Sequence, residues 1–204
     1  HIALGYKSKV IKKYFNKKNF KKYSLCINGK TVRKNKNLNS IQLNLYDTGL
    51  NTMTGGRVKK ILNKFDNKNE NFFLTYGDGV GNINLYKLKK FHLKHKKLIS
   101  ITAVRPPARF GELIIRGSKV LKFQEKPQLQ KGWINGGYFI INKKIEKYIY
   151  DSKIVFEREP IEKAAKTKNL MSFKHYDFWK CMDNLRDKNE LDKLINLIPI
   201  PWLK

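Results

Sequence analysis

Arginine is scarce in this chain. Of 44 basic residues only 7 are Arg, so lysine carries most of a formal net charge of +28 against 16 acidic residues. Bidentate reading of phosphates and bases favours the guanidinium fork. The lysines are also spread along the chain, in pairs such as Lys12-Lys13, Lys59-Lys60, Lys89-Lys90 and Lys96-Lys97. Together with abundant Asn they look like an AT-rich coding bias. The charge is therefore read as solvated surface, a nucleic-acid partner is not expected, and the positive field would still draw in anionic substrates. Cysteine is nearly absent: Cys26 and Cys181 have no metal or redox spacing, which suits a reduced, cytoplasmic setting. No apolar run approaches a membrane span and no signal-peptide pattern is visible, so no membrane association is expected. Linkers, internal repeats and low-complexity tracts are missing too. The 204 residues, 41% hydrophobic and 12% aromatic, read as one domain over 1–204 with a sizeable core.

Patterning along the chain alternates between strand and helix. His1 to Gly5 reads as the tail of a strand entering a turn, so the chain is expected to begin inside a domain. Tyr6 to Phe15 carries apolar residues at helical spacing. A short strand is predicted near Ser24–Ile27, another over Ile41–Tyr46, and a helix over Arg57–Phe65. Asn71–Tyr76 is an apolar run read as a buried strand of a parallel sheet. A helix over Leu85–His95 and a strand over Leu98–Val104 follow, then a hairpin around Arg116-Gly117-Ser118. A strand over Tyr138–Asn142, helices over Lys143–Tyr150 and Glu159–Lys168, and a strand over Leu170–His175 come next. Asp183 is placed as the N-cap of a last helix. This order argues an α/β fold with a mainly parallel sheet and some antiparallel hairpin in the second half.

Five segments carry unusual chemistry. Tyr76-Gly77-Asp78-Gly79 closes the Asn71–Tyr76 strand with a carboxylate between two glycines, at the strand end where α/β sheets bind ligands; a plain Asp-Gly turn is the alternative. Asp47-Thr48-Gly49 through Thr52-Met53-Thr54-Gly55-Gly56-Arg57 runs from a strand into a helix with glycines, hydroxyls and a guanidinium, suited to an anion or a polar ring. Arg109-Phe110-Gly111 follows a Pro-Pro break, with Arg109 a phosphate contact or a surface ion-pair partner. Phe123-Gln124-Glu125-Lys126-Pro127 offers an acceptor for hydroxyls beside a point charge for phosphate. Phe178-Trp179 through Asp187 leads aromatics into Asp183. Two separated aspartates, Asp78 and Asp183, would suit Mg²⁺, a hard cation held by one or two carboxylates and substrate phosphates.

In this order, joined by Leu4-Gly5-Tyr6-Lys7, Ile134-Asn135-Gly136-Gly137-Tyr138-Phe139 and Glu157-Arg158-Glu159-Pro160, the segments resemble the nucleotide-sugar pyrophosphorylases. The Met53-Thr54-Gly55-Gly56-Arg57 stretch points to the cytidylyl branch that acts on glucose 1-phosphate. The resemblance covers residues 4 to about 187. It implies a Rossmann-like three-layer α/β/α nucleotide-diphospho-sugar transferase fold. It implies that CTP and α-D-glucose 1-phosphate give CDP-glucose and pyrophosphate, for deoxysugar and O-antigen-type polysaccharide synthesis. On the matching positions, Asp78 and Asp183 would hold Mg²⁺, with Asp78 and Lys126 catalytic and Lys126 on the sugar phosphate. Glu125, Asn135 and Gly136 would line the sugar site. Thr52, Thr54, Gly55, Arg57 and Gly77 would contact the nucleotide, and Arg109 a phosphate.

One departure matters. The family's glycine-rich loop, Gly-Gly-x-Gly-Thr-Arg, and its Lys-Pro-Lys-Pro-type segment have no counterpart here. The expectation is an N-terminally truncated domain with little turnover of its own. The alternatives are a transferase using UTP or dTTP, or a non-catalytic remnant that binds a sugar nucleotide. Related enzymes often assemble, and Pro201-Trp202 is a candidate contact in a homo-oligomer, with a loose tail the other reading.

Overall fold

The computed structural model describes residues 1–16, 23–35, 41–65, 70–106, 112–124 and 132–203. Arg109, Glu125 and Lys126 lie outside these residues. The chain divides into two compact units, His1–Glu70 with Lys143–Lys166 and Asn71–Asn142 with Thr167–Lys204. The first unit opens with β1 (Ile2–Leu4), α1 (Ser8–Asn16), β2 (Tyr23–Ile27), β3 (Lys30–Arg33), β4 (Ile41–Asp47) and α2 (Thr54–Leu62). The second begins with β5 (Asn71–Thr75), β6 (Gly79–Gly81), α3 (Leu85–His95), β7 (Ile99–Val104), β8 (Glu112–Arg116), β9 (Lys119–Gln124) and β10 (Ile134–Asn142). The chain returns to the first unit for a 3-10 turn over Lys143–Tyr148 and α4 (Glu159–Lys166). It ends in the second with β11 (Leu170–Lys174), β12 (Trp179–Cys181) and α5 (Leu185–Leu194).

In the first unit the sheet order is β1-β4-β2-β3, with β1, β4 and β2 parallel and β3 antiparallel. Alternation along β2 and β4 sends Leu25 and Leu45 inward, where they meet Leu4 in a closed cluster with Ile2, Phe15, Ile27 and Leu43 packed on it. Asn28 and Gly29, both at positive φ, make the tight turn between β2 and β3. Helix α2 lies close to the backbone of Ser152 and Ile154, and a Cβ on Gly56 would fall 2.3 Å from the Ser152 carbonyl oxygen, so only glycine fits.

In the second unit the order is β11-β7-β10-β5, with β11 parallel to β7 and β10 antiparallel to both neighbours. Ile83, Leu88 and Ile140 form the buried cluster there, with Tyr138, Phe173 and Trp179 against it. Two smaller ladders complete the unit, β12 with β6 and β8 with β9.

The α/β class is as expected, with sheets more mixed than a mostly parallel reading. Asn71–Thr75 differs most from expectation. It is not a buried parallel strand: among the described residues it pairs only with β10, antiparallel, and Phe73 is 53% exposed. The N-cap of α5 is Asn184, whose side chain accepts from the Asp187 N–H, rather than Asp183 one residue earlier. Lys143–Tyr148 winds as a 3-10 turn and not as an α-helix.

Candidate active site

Asp78 and Asp183 line one cavity of about 170 Å³ in the second unit, with Tyr76, Asn135, Gly136 and Trp179 among its walls. The β6/β12 ladder brings the two acids together. Gly79 pairs with Cys181, and one step outward the Met182 N–H donates to the Asp78 carbonyl at 2.8 Å. Each aspartate therefore sits at the end of a short strand where the ladder opens into the cavity. This is the juxtaposition that ligand binding at strand ends calls for.

The acids differ in surroundings. The Asp78 carboxylate has no side-chain partner among the described residues. Asp183 Oδ2 accepts from the Cys181 thiol at 3.3 Å, and the Asp183 N–H donates to Asp187 Oδ2 at 3.2 Å. Burial, and then the neighbouring Asp183 carboxylate, push the Cys181 thiol up from its ordinary pKa, so sulfur stays a protonated donor at neutral pH. Two hard, exposed carboxylates on one cavity fit a magnesium ion that keeps waters and takes its other oxygens from substrate. Among the described residues no group of three or more His, Cys, Asp or Glu is placed to hold a metal.

The opposite wall is built by the start of β10. Its pairing with β7 shifts register between Asn135 and Phe139, a bulge that turns the backbone of Gly136 and Gly137 toward the cavity. Gly137 has φ +75°, and a Cβ there would lie 2.9 Å from the Tyr76 ring. Asn135 Oδ1 accepts from the Gly137 N–H at 2.8 Å, and its amide lies 3.4 Å from the Tyr76 hydroxyl. Trp179 Nε1 donates to the Gly136 carbonyl at 2.8 Å and Tyr138 donates to the Gly79 carbonyl at 3.0 Å, so the walls are tied by half-buried hydrogen bonds. Of the residues singled out from the sequence, Asp78, Asn135, Gly136 and Asp183 line this cavity and Gly77 does not; Tyr76 and Cys181 as lining groups, and Trp179 and Tyr138 as braces, were missed. The Trp179 position was legible only as an aromatic before Asp183.

Thr52, Thr54, Gly55 and Arg57 belong to the first unit, where their polar groups are used within the chain. Arg57 donates to the Leu4 carbonyl at 2.9 Å, to Thr48 Oγ1 at 2.5 Å and to the Leu50 carbonyl at 3.4 Å. Buried Thr52 donates to the Thr48 carbonyl at 2.6 Å and receives Lys60 at 3.2 Å. Thr54 donates to Glu157 at 2.7 Å and accepts from the Phe156 N–H at 2.8 Å, while the Gly55 N–H donates to the Ile154 carbonyl at 2.9 Å. These residues frame the loop between β4 and α2.

The Nucleotidyl transferase family profile matches residues 12–183. The chain belongs to that family. It is 37% identical over 209 residues to the glucose-1-phosphate cytidylyltransferase of Salmonella typhimurium, covering 98% of this chain and 79% of that protein. It is 34% identical over 124 residues to the D-glycero-α-D-manno-heptose 1-phosphate guanylyltransferase of Aneurinibacillus thermoaerophilus, covering 59% of this chain and 53% of that protein. Among solved structures, HddC from Yersinia pseudotuberculosis superposes with a TM-score of 0.61 at 21% identity, covering 92% of this chain and 74% of that one, a likeness of fold. No helix among its described residues is long and apolar enough to cross a membrane.

Proposed function

We propose that this nucleotidyltransferase moves a cytidylyl group from CTP to α-D-glucose 1-phosphate, releasing pyrophosphate and CDP-glucose. The observation that carries the reading is the meeting of Asp78 and Asp183 on one cavity, in a chain 37% identical to a glucose-1-phosphate cytidylyltransferase. An oxygen of the sugar phosphate attacks the α-phosphorus of CTP, a new P–O bond forms in line, and the bond to the pyrophosphate oxygen breaks. Such a displacement needs positioning and charge neutralisation more than a covalent nucleophile. Asp78 and Asp183 would hold Mg²⁺, which when bound offsets charge on the phosphates. Asn135 and the Gly136 backbone orient the sugar, and Gly77 leaves room for the nucleotide. Trp179 and Tyr138 keep both walls in place by their hydrogen bonds to Gly136 and Gly79. Glu125 on the sugar, Lys126 on its phosphate and Arg109 on a phosphate complete the proposal from the resemblance alone. The nucleotide contacts of Thr52, Thr54, Gly55 and Arg57 belong to it as well, and their internal hydrogen bonds make them the frame of the loop that would meet the nucleotide. The product would feed deoxysugar synthesis for surface polysaccharide in the cytoplasm.

The test is pyrophosphate release from CTP, UTP, dTTP and GTP with glucose 1-phosphate, with Mg²⁺ and with EDTA. The expected result is slow, Mg²⁺-dependent release that is fastest with CTP. Release fastest with another triphosphate would reassign the base, and binding of CDP-glucose without turnover would favour the non-catalytic reading.

A further inference from the structure

The start of α2 is clamped by residues 152–157, a segment of the first unit that the transfer chemistry above does not use. The Met53 N–H donates to the Ser152 carbonyl and the Gly55 N–H to the Ile154 carbonyl, each at 2.9 Å. A Cβ on Gly55 would fall 2.7 Å from that Ile154 oxygen, so the two backbones touch with no room for a side chain. The Thr54 side chain completes the clamp. Its hydroxyl donates to Glu157 Oε2 at 2.7 Å and accepts from the Phe156 N–H at 2.8 Å.

These two bonds set the sense in which the hydroxyl can bond to anything else. A carboxylate oxygen only accepts and a backbone N–H only donates, so the Thr54 proton points to Glu157 and one lone pair is taken by Phe156. A second lone pair is left. Thr54 is exposed, so a ligand can reach it, and to that ligand the hydroxyl offers an acceptor and no donor. Without the Glu157 carboxylate the same hydroxyl would be able to rotate and donate. Pyrimidines differ in this respect at the 4-position: cytosine carries an amino group that donates, and uracil and thymine carry a carbonyl that accepts. An acceptor-only hydroxyl pairs with the amino group. Against a carbonyl it sets lone pair to lone pair and leaves both groups unsatisfied, a repulsive element that discriminates between the bases.

We propose that Glu157 determines base specificity: by holding the Thr54 hydroxyl as an acceptor, it makes the chain select a pyrimidine with a 4-amino group over one with a 4-carbonyl. Glu157 acts through Thr54 and is a positioning residue. This rests on the reading of Thr54 as a nucleotide contact. The experiment is equilibrium binding of CTP and of UTP to the purified chain in Mg²⁺, by calorimetry with each nucleotide titrated into the millimolar range. The readout is the ratio of the two Kd values. Removing a carboxylate changes the field felt by both triphosphates alike, so the ratio reports the hydrogen bond and not the charge. The parent is expected to prefer CTP by about tenfold or more. Glu157→Ala should bring the ratio close to one by tightening UTP, and Thr54→Val should bring it close to one by weakening CTP. Glu157→Gln, which keeps an acceptor for the Thr54 proton, and Thr54→Ser, which keeps the hydroxyl, should each retain most of the preference. Glu162→Gln, exposed on α4, should leave it unchanged. Circular dichroism checks each fold; should Glu157→Ala unfold, the near-isosteric Thr54→Val still decides. A parent that prefers CTP and keeps that preference in folded Glu157→Ala or in Thr54→Val overturns the role of Glu157 alone. A parent that binds UTP as tightly as CTP, or binds neither, overturns the cytidylyl reading and the role of Glu157 with it.

Discussion

Asp183 and Asn184 are neighbours with separate work. Asn184 caps α5 through the Asp187 N–H, so the Asp183 side chain is released from helix duty and lines the cavity. Removing an N-cap costs about 1 kcal/mol. Asn184→Ala is therefore expected to lower stability by about that amount in a denaturant titration. Asp183→Asn should leave the midpoint nearly unmoved while Mg²⁺-dependent pyrophosphate release falls on the order of a hundredfold or more. Asp78→Asn should behave like Asp183→Asn. Near-normal turnover in either aspartate variant would remove the acids from the chemistry. Arg57→Ala is different in kind, because it strips donors from the Leu4 and Leu50 carbonyls and from Thr48. It should cost stability of the first unit as well as any CTP affinity. Residue identity told which groups were chemically able; only the hydrogen-bond partners told which of them are already occupied.

Among the elements, the start of β10 is the one most constrained by its own backbone. Gly137→Ala would place a Cβ at φ +75° and 2.9 Å from Tyr76, so a loss of about 1–3 kcal/mol is expected, together with weakened sugar-phosphate binding. A variant as stable and as tight as the parent would show that the bulge relaxes freely. Helix α3 and β7 meet through another buried device. His92 Nδ1 lies 2.9 Å from Ser100 Oγ and its Nε2 3.0 Å from Asn71 Oδ1, while His95 Nε2 lies 2.7 Å from the same hydroxyl. Burial first, then the adjacent His95, hold His92 down to about 4. The unfolded chain therefore binds the extra proton between pH 6.5 and about 4. The contribution is present above pH 6.5 and is lost as pH falls toward 4. Between pH 7 and pH 5 the second unit should lose about 2 kcal/mol, read by denaturant unfolding at each pH, and a flat profile would sink the assignment. None of this network was visible in the sequence, where His92 and His95 were ordinary helix residues. Helices α2, α3 and α4 and strands β4, β7, β8 and β9 were legible because long periodic runs and turn residues mark them. Strand β3 was missed although Asn28-Gly29 announces its hairpin, because the surrounding lysines hide the alternation. The run Asn71–Thr75 was misread as a parallel-sheet interior because an apolar stretch is the same whether one neighbour or two lie beside it. The candidate site was legible as motifs, and the β6/β12 ladder that joins its two acids was not, since three-residue strands carry no periodicity.

At the scale of the whole molecule, the division into two units left no trace in the sequence because the chain passes between them at element junctions, at Glu70, Asn142 and Lys166, without a glycine- or proline-rich linker. The net charge of +28 is the property that spans both. Its physical consequence depends on what the partner is. CTP and a sugar phosphate are small polyanions, and a positive field raises their encounter rate with the cavity without adding contacts. Salt screens such a field over about 10 Å at 0.1 M ionic strength. Raising NaCl from about 50 to about 200 mM should therefore lower kcat/KM for CTP several-fold while kcat, which on the proposed reading is set by the local geometry around Asp78 and Asp183, stays within about twofold. A nucleic-acid-binding protein of the same charge would instead lose duplex affinity by about 10³–10⁵ over that range while making many phosphate contacts at once. Measuring both dependences on one preparation separates the two uses of the same lysines: a salt-insensitive kcat/KM together with tight, steeply salt-dependent duplex binding would mean that the surface charge serves a polymer and not a nucleotide substrate.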